Sequence, residues 1–275
     1  MGVTRFADKI GFIVGGSSGI GLATAKVLAE EGAHVIIFGR NKDRLDTAVE
    51  EVKASCSAEQ RIASMQLDAT DPEETGRVLG QAVEEFGTPD LLLNCAGRAQ
   101  PNYVENISYE QFDQTMKSNM YSVRNTVAAL LPHMKAHGGG HIANVSSMIA
   151  TIPFFGFTDY CASKAAIIAF SEALHAEAKP YGISVSVLLP PDTDTPGLER
   201  ENRNKPPETK ALSEMSKLIQ PEFVARKLVQ GIKKGKIMII PTFEERFFYL
   251  VKRLLPGLVT RVLDSIIRKT QKKEG

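Results

Sequence analysis

A single doubly wound α/β domain with a seven-stranded parallel sheet, followed by a helical extension, is the fold class this sequence predicts. Three observations carry it. Short apolar runs bounded by turn residues recur through the first 240 residues, segments of helical periodicity separate them, and the pattern turns basic and amphipathic after residue 242. The first run, GFIVGG from Gly11, leads into a helical segment at 21–31, and HVIIF from His34 leads into one at 43–53. RIASMQL from Arg61 is a weaker strand before a helix at 72–86, and DLLLN from Asp90 precedes a long helix at 109–137. HIANV from His141 precedes a helix at 158–179, ISVSVLL from Ile183 follows it, and KIMII from Lys236 is the last strand. These runs are continuously apolar, as strands buried on both faces are. Alternation with helices implies right-handed crossovers and a Rossmann-type sheet covered on both sides. The stretch from 190 to about 207 is rich in Pro, Asp, Asn and charge and reads as a long irregular loop. The organisation expected is therefore residues 1–242 as one domain, a lid at about 190–219, and an extension at 243–275.

The totals narrow the function. With 33 Lys and Arg against 32 Asp and Glu, the chain has no global attraction for nucleic acid. The balance is uneven, since residues 246–275 hold eight basic and two acidic side chains. Cys56, Cys95 and Cys161 have no metal-ligand spacing, the five histidines share no pattern with acids, and no metal site is expected. No signal-peptide pattern opens the chain, and no apolar stretch reaches the roughly 18 residues that span a bilayer. Phe6 breaks the myristoylation pattern that Met1-Gly2 would begin. A cytoplasmic location, or a peripheral one on the cytosolic face of a membrane, is expected.

Chemistry concentrates at strand ends. GGSSGIG, containing Gly15, Ser17, Ser18, Gly19, Ile20 and Gly21, joins the first strand to a helix. Its glycines let the backbone approach a pyrophosphate, and the helix N-terminus offers unsatisfied N–H groups. After the second strand, Arg40 stands where an NAD site would place an acid, with Arg44 a helical turn later. Both suit the 2′-phosphate of NADPH, or are simply solvated. Asp68, after the third strand, either accepts from an adenine amine or caps the next segment. Tyr160 and Lys164 are four residues apart, on one helix face. An ammonium beside a phenol should draw its pKa down toward the working range, making Tyr160 a proton donor to a carbonyl that receives hydride. Ser146 and Ser147 end a strand at the carboxyl edge, where one hydroxyl can bind the substrate oxygen.

NCAG (94–97) and YCASK (160–164), taken in order with GGSSGIG, resemble the short-chain dehydrogenase/reductase family over about 240 residues. The resemblance implies a catalytic set of Ser147, Tyr160, Lys164 and Asn119. Ser147 is chosen over Ser146 by the family's interval to the tyrosine. Lys164 would also hold the nicotinamide ribose, and Asn119 would hold a water that relays protons from Lys164. Asn94 would brace adjacent strands within the cofactor site, Ala96 and Gly97 would admit the adenosine ribose, and Pro190, Thr193 and Thr195 would lie along the nicotinamide. Pro191 departs from the family's usual Pro-Gly. The helices at 109–137 and 158–179 resemble those that pair subunits in the family, implying a homo-oligomer.

FGFTDYCASK and PPDTDTPGLERENRNKPPET further resemble the branch of that family acting on a long-chain sphingoid ketone, which implies a small-molecule lipid substrate. Other lipid carbonyls, such as steroids and retinoids, and a non-catalytic dinucleotide-binding scaffold are the alternatives. Glu199, Arg200, Glu201 and Arg203 could meet a polar head group or only solvate the loop. In residues 258–269 the apolar positions form one helical stripe opposite Arg261, Asp264, Arg268 and Lys269. That stripe could meet a membrane, the protein's own core or another subunit.

Overall fold

A computed structural model describes residues 3–57 and 59–274. The Met1-Gly2 pattern lies outside them. In chain order the elements begin β1 (Ile10–Val14), α1 (Gly19–Glu30), β2 (His34–Gly39), α2 (Lys42–Lys53), β3 (Ile62–Gln66), α3 (Pro72–Phe86) and β4 (Leu91–Asn94). They continue α4 (Tyr109–Met116), α5 (Ser122–His137), β5 (Gly140–Val145), α6 (Thr158–Ala178) and β6 (Ile183–Leu188). The remainder is α7 (Pro196–Asn202), α8 (Pro207–Ser213), α9 (Pro221–Lys233), β7 (Met238–Ile239), α10 (Phe243–Leu254) and α11 (Pro256–Glu274).

All seven strands are parallel, in the order β3-β2-β1-β4-β5-β6-β7. The order reverses between β1 and β4, which opens a crevice at their carboxyl ends. Alternate side chains serve opposite faces. Ile13, Ile37 and Leu93 pack with α1, α2 and α9, whereas Phe12, Ile36, Phe38 and Leu92 pack with α3, α5 and α6. This is why the strand sequences lack polar alternation.

Three expectations need correction. The helix expected at 109–137 is interrupted by a π-helical turn at Lys117–Tyr121. The last strand shortens to two residues. The stretch from 190 to 207 is not a continuous loop, because Thr195 caps α7 by accepting from the Leu198 N–H at 3.2 Å, with Pro196 in the first turn, and a second proline-led helix, α8, begins at Pro207. The amphipathic tail is also more elaborate than one helix. Thr242 caps α10, the helix breaks at Leu255, and α11 starts at Pro256 and returns along α8. Gln271 Nε2 donates to Glu208 Oε1 at 3.1 Å, and Glu208 Oε2 accepts from the Tyr103 hydroxyl at 3.1 Å.

Candidate active site

The crevice opens into a cavity of about 930 Å³ that runs from the β1–α1 turn to the C-terminal helices. At one end Gly15 adopts φ +84°, and a Cβ on it would come within 2.5 Å of the Ala96 nitrogen. A Cβ on Gly21 would collide with the Gly15 carbonyl oxygen, so the turn is held closed against α1 by the absence of side chains. Ser18 is the N-cap of α1 but forms no side-chain cap, and the first turn contains no acid. The N–H groups at this helix end are therefore available to an anion, as a pyrophosphate requires. Ser17, Ser18, Gly19 and Ile20 line the same wall.

Arg40 and Arg44 lie at the rim, and neither guanidinium has an acidic partner among the described residues. Asn41 places Arg44 by accepting from its N–H at 2.9 Å. Asp68 also lines the cavity, but its carboxylate accepts from the Thr70 N–H at 3.0 Å and the Thr70 hydroxyl at 2.8 Å. It thus closes a local turn and does not cap a helix; Asp71 caps α3 instead.

The catalytic candidates converge at the cavity's middle. Tyr160 sits in the first turn of α6, and its hydroxyl meets Ser147, two residues past the end of β5. Ser146 is turned away and donates to the Lys164 carbonyl at 2.7 Å. Lys164 is buried, with Nζ donating to the Val145 carbonyl at 2.9 Å and lying 5.7 Å from the centre of the Tyr160 ring. Burial pulls its ammonium down to about 8. The expectation that this ammonium lowers the phenol is not met. Burial raises Tyr160 above its usual range, the charges of Glu201 and Asp192 push the same way, and only the Ser147 hydrogen bond opposes them. Cys161, next along the helix, is pushed up to about 11 by burial, so its thiol is no nucleophile at neutral pH.

Asn119 lies in the π-helical turn, fully buried behind the wall. Its Oδ1 accepts from the Arg98 N–H at 2.7 Å, and its Nδ2 donates to the Arg98 carbonyl at 3.0 Å and to Ser163 Oγ at 2.8 Å. Those bonds fix the chain after β4 so that Ala96 and Gly97 line the cavity. Asn94 does not reach the cavity. Its amide donates to Asn144 Oδ1 at 2.9 Å and accepts from Thr126 Oγ1 at 2.7 Å, bracing β4 against β5 and α5. Pro190, Thr193 and Thr195 do line it, although Thr193 donates to the Pro191 carbonyl and Thr195 serves as the α7 cap.

The far end of the cavity is what the sequence did not disclose. Phe247, Phe248 and Val251 of α10 and Leu258, Val262 and Leu263 of α11 form an apolar wall facing Phe154, Phe157 and Leu198. The amphipathic stripe of the tail was the only signal, and it did not name the surface beneath it. Of the charges in the loop, Glu199 and Arg203 pair on the surface at 3.1 Å, while Glu201 turns inward.

Comparison with known proteins agrees with this architecture. Residues 9–206 match the family model described as short chain dehydrogenase. The chain is 37% identical over 225 residues to mouse 3-ketodihydrosphingosine reductase, covering 81% of this chain and 68% of that protein. It is 36% identical over 248 residues to the 3-ketodihydrosphingosine reductase of Dictyostelium discoideum, covering 84% and 74%. Among solved structures, L-sorbose reductase from Gluconobacter frateurii, complexed with NADPH and L-sorbose, superposes with a TM-score of 0.75 at 26% identity, covering 86% of this chain and 96% of that one.

Proposed function

The chain belongs to the short chain dehydrogenase family, and from that premise we propose that it reduces 3-ketodihydrosphingosine to dihydrosphingosine, with NADPH as the reductant. It is an oxidoreductase of a nicotinamide dinucleotide. The observation that carries the lipid reading is the continuity of one cavity from the glycine turn, past Tyr160, to the apolar wall of α10 and α11. The named ketone comes from relatives in animals and a slime mould. Arg40 and Arg44 at the rim, without an acidic partner among the described residues, support a 2′-phosphate, and hence NADPH over NADH.

Bound nicotinamide supplies the hydride. Ser147 donates a hydrogen bond to the ketone oxygen, and Tyr160 gives that oxygen its proton as negative charge develops. The raised pKa of Tyr160 serves this direction, since reduction consumes the protonated phenol and the nascent alkoxide is the stronger base. Lys164, steadied by the Val145 carbonyl, holds the nicotinamide ribose and keeps a positive charge near the ring. Asn119 fixes the chain opposite Lys164 and serves the return of a proton from solvent. Residues 190–219 cover the reacting centre as a lid.

Phe243, Leu250, Leu254 and Leu255 are exposed beside Lys252, Arg253 and Arg261, which supports peripheral contact of residues 243–275 with an anionic membrane surface. Flotation with anionic but not neutral vesicles is expected, and binding to neither defeats this part. Exposed Tyr109, Phe112 and Tyr121 along α4 and the π-helical turn support a homo-oligomer, which sedimentation checks. The central test is purified protein with NADPH and 3-ketosphinganine in detergent or lipid. Dihydrosphingosine should form as NADPH is oxidised. Inertness toward this ketone while a steroid or retinoid carbonyl reacts would replace the assignment.

A further inference from the structure

After β6 the chain turns across the cavity, and two carboxylates enter its wall beside Tyr160: Asp192 from the turn and Glu201 from α7. Lys205 stands behind them with a side chain only 3% exposed, pairing with Glu201 at 3.1 Å and donating to Ser213 Oγ at 3.0 Å. The lysine's hydrogen bonds are thus taken by Glu201 and Ser213, and it reaches Asp192 through its charge alone. The Asp192 carboxylate makes no hydrogen bond among the described residues. A third acid, Glu245 of α10, lines the same cavity and has Oε2 buried without a partner among the described residues. Burial raises the carboxyl pKa of all three, and the charge of Asp192 adds to the rise at both Glu201 and Glu245.

Of the cations on the neighbouring wall, Lys164 donates to the Val145 carbonyl, Lys217 pairs with Glu244 at 3.3 Å, and Arg200 is exposed. Lys205 and Lys217 oppose the rise in carboxyl pKa without cancelling it. The wall next to the reacting phenol therefore holds half-buried carboxylates, two of which, Asp192 and Glu245, keep acceptor oxygens without a partner among the described residues. Uncompensated charge in such surroundings is costly, and a cationic ligand relieves it.

We propose that Asp192 and Glu201 are the ammonium-binding residues of the substrate cavity, giving the enzyme its preference for ketones that carry a protonated amine beside the carbonyl. Their place beside Tyr160 puts the amine at the reacting end, with the hydrocarbon chain toward α10 and α11. The inference rests on the reading that a long-chain ketone occupies this cavity, and the test separates the two.

The NADP-bound protein is titrated calorimetrically with dihydrosphingosine and with a diol of equal chain length lacking the amine. The amine should bind about tenfold or more tightly, as a charge-assisted hydrogen bond implies. Asp192→Asn and Glu201→Gln should each erode that preference while leaving affinity for the neutral diol unchanged. Equal affinities in the wild type, or a preference that survives in the double variant, overturn the proposal. If Glu201→Gln lowers the melting temperature by stranding Lys205, Asp192→Asn alone decides, because that side chain holds no hydrogen bond. Turnover of 3-ketosphinganine is measured in parallel. Amine preference without turnover refutes the reductase reading and supports the ammonium site, and turnover without amine preference does the reverse.

Discussion

The two ends of the cavity are built by different means. At the nucleotide end, strand tips and the glycine turn present backbone, and the polar side chains behind them are saturated: Asn94 binds Asn144 and Thr126, and Asn119 binds Arg98 and Ser163. At the far end, short proline-led helices and a returning hairpin present side chains, many of them half exposed, and among the described residues the Asp192 carboxylate and Glu245 Oε2 have no hydrogen-bond partner. A backbone cradle tolerates almost no substitution and recognises what all dinucleotides share. A wall of side chains on lightly packed helices can change residue by residue and so carries the choice of ketone.

Substitutions at the two ends should therefore separate in kind. The largest effect belongs at the junction: Tyr160→Phe should lower kcat about 10²–10⁴-fold with nucleotide affinity preserved, because only the transferable proton is removed. Turnover that survives this change would move the proton donor elsewhere. Next, Arg40→Asp should raise the KM for NADPH tens of fold and relieve discrimination against NADH, as the loss of a charge-assisted phosphate contact predicts. An unchanged cofactor ratio would mean that Arg40 is only solvated.

The pH profile tests the middle of the cavity. Lys164 is lowered to about 8, so its ammonium is present below that pH and lost above it. The kcat/KM for reduction should be level toward neutrality and fall about tenfold per unit above pH 8. Because Tyr160 is raised, no second limb from loss of the phenol proton belongs in that window. A profile level to pH 10 would remove Lys164 from the proton economy. The smallest change belongs at the far wall, where Phe247→Ser with Phe248→Ser should raise KM for a long-chain ketone several-fold and spare a short-chain one, since each ring is already half exposed. Equal losses for both chain lengths would show that these rings brace the fold and do not line the path of the chain.

The same contrast explains what could be read from sequence. GGSSGIG, NCAG and YCASK were legible because backbone proximity and helical spacing are local demands that a few adjacent residues satisfy. The seven parallel strands and the helices on both faces followed from alternation. Thr195 with Pro196 marks a helix start, but it was hidden in a segment whose composition looked like loop. Long-range placements were not legible. Nothing near Glu201 in sequence distinguishes it from Glu199, yet one faces the cavity and the other pairs on the surface. Tyr160 and Lys164 were correctly placed on one face, while the electrostatic balance between them depended on burial by distant segments. The tail's stripe showed that a surface would be covered and left open which one.

The π-helical turn at Lys117–Tyr121 has a consequence for how this chain tolerates change in length. The turn stores one surplus residue inside what would be a single rod, so α4 and α5 run nearly continuously while the sequence spacing of their faces slips by one. Asn119 is aimed from within the surplus, and Thr115 before it donates to Asp159 of α6 at 2.7 Å. Deleting one residue there would leave a regular α-helix with its downstream faces nearly in place, and would remove the bulge from which Asn119 is aimed. A shortening by one residue would thus spare the fold here and fall on the site, because what the irregularity holds is the direction of Asn119 and not the register of the helix faces.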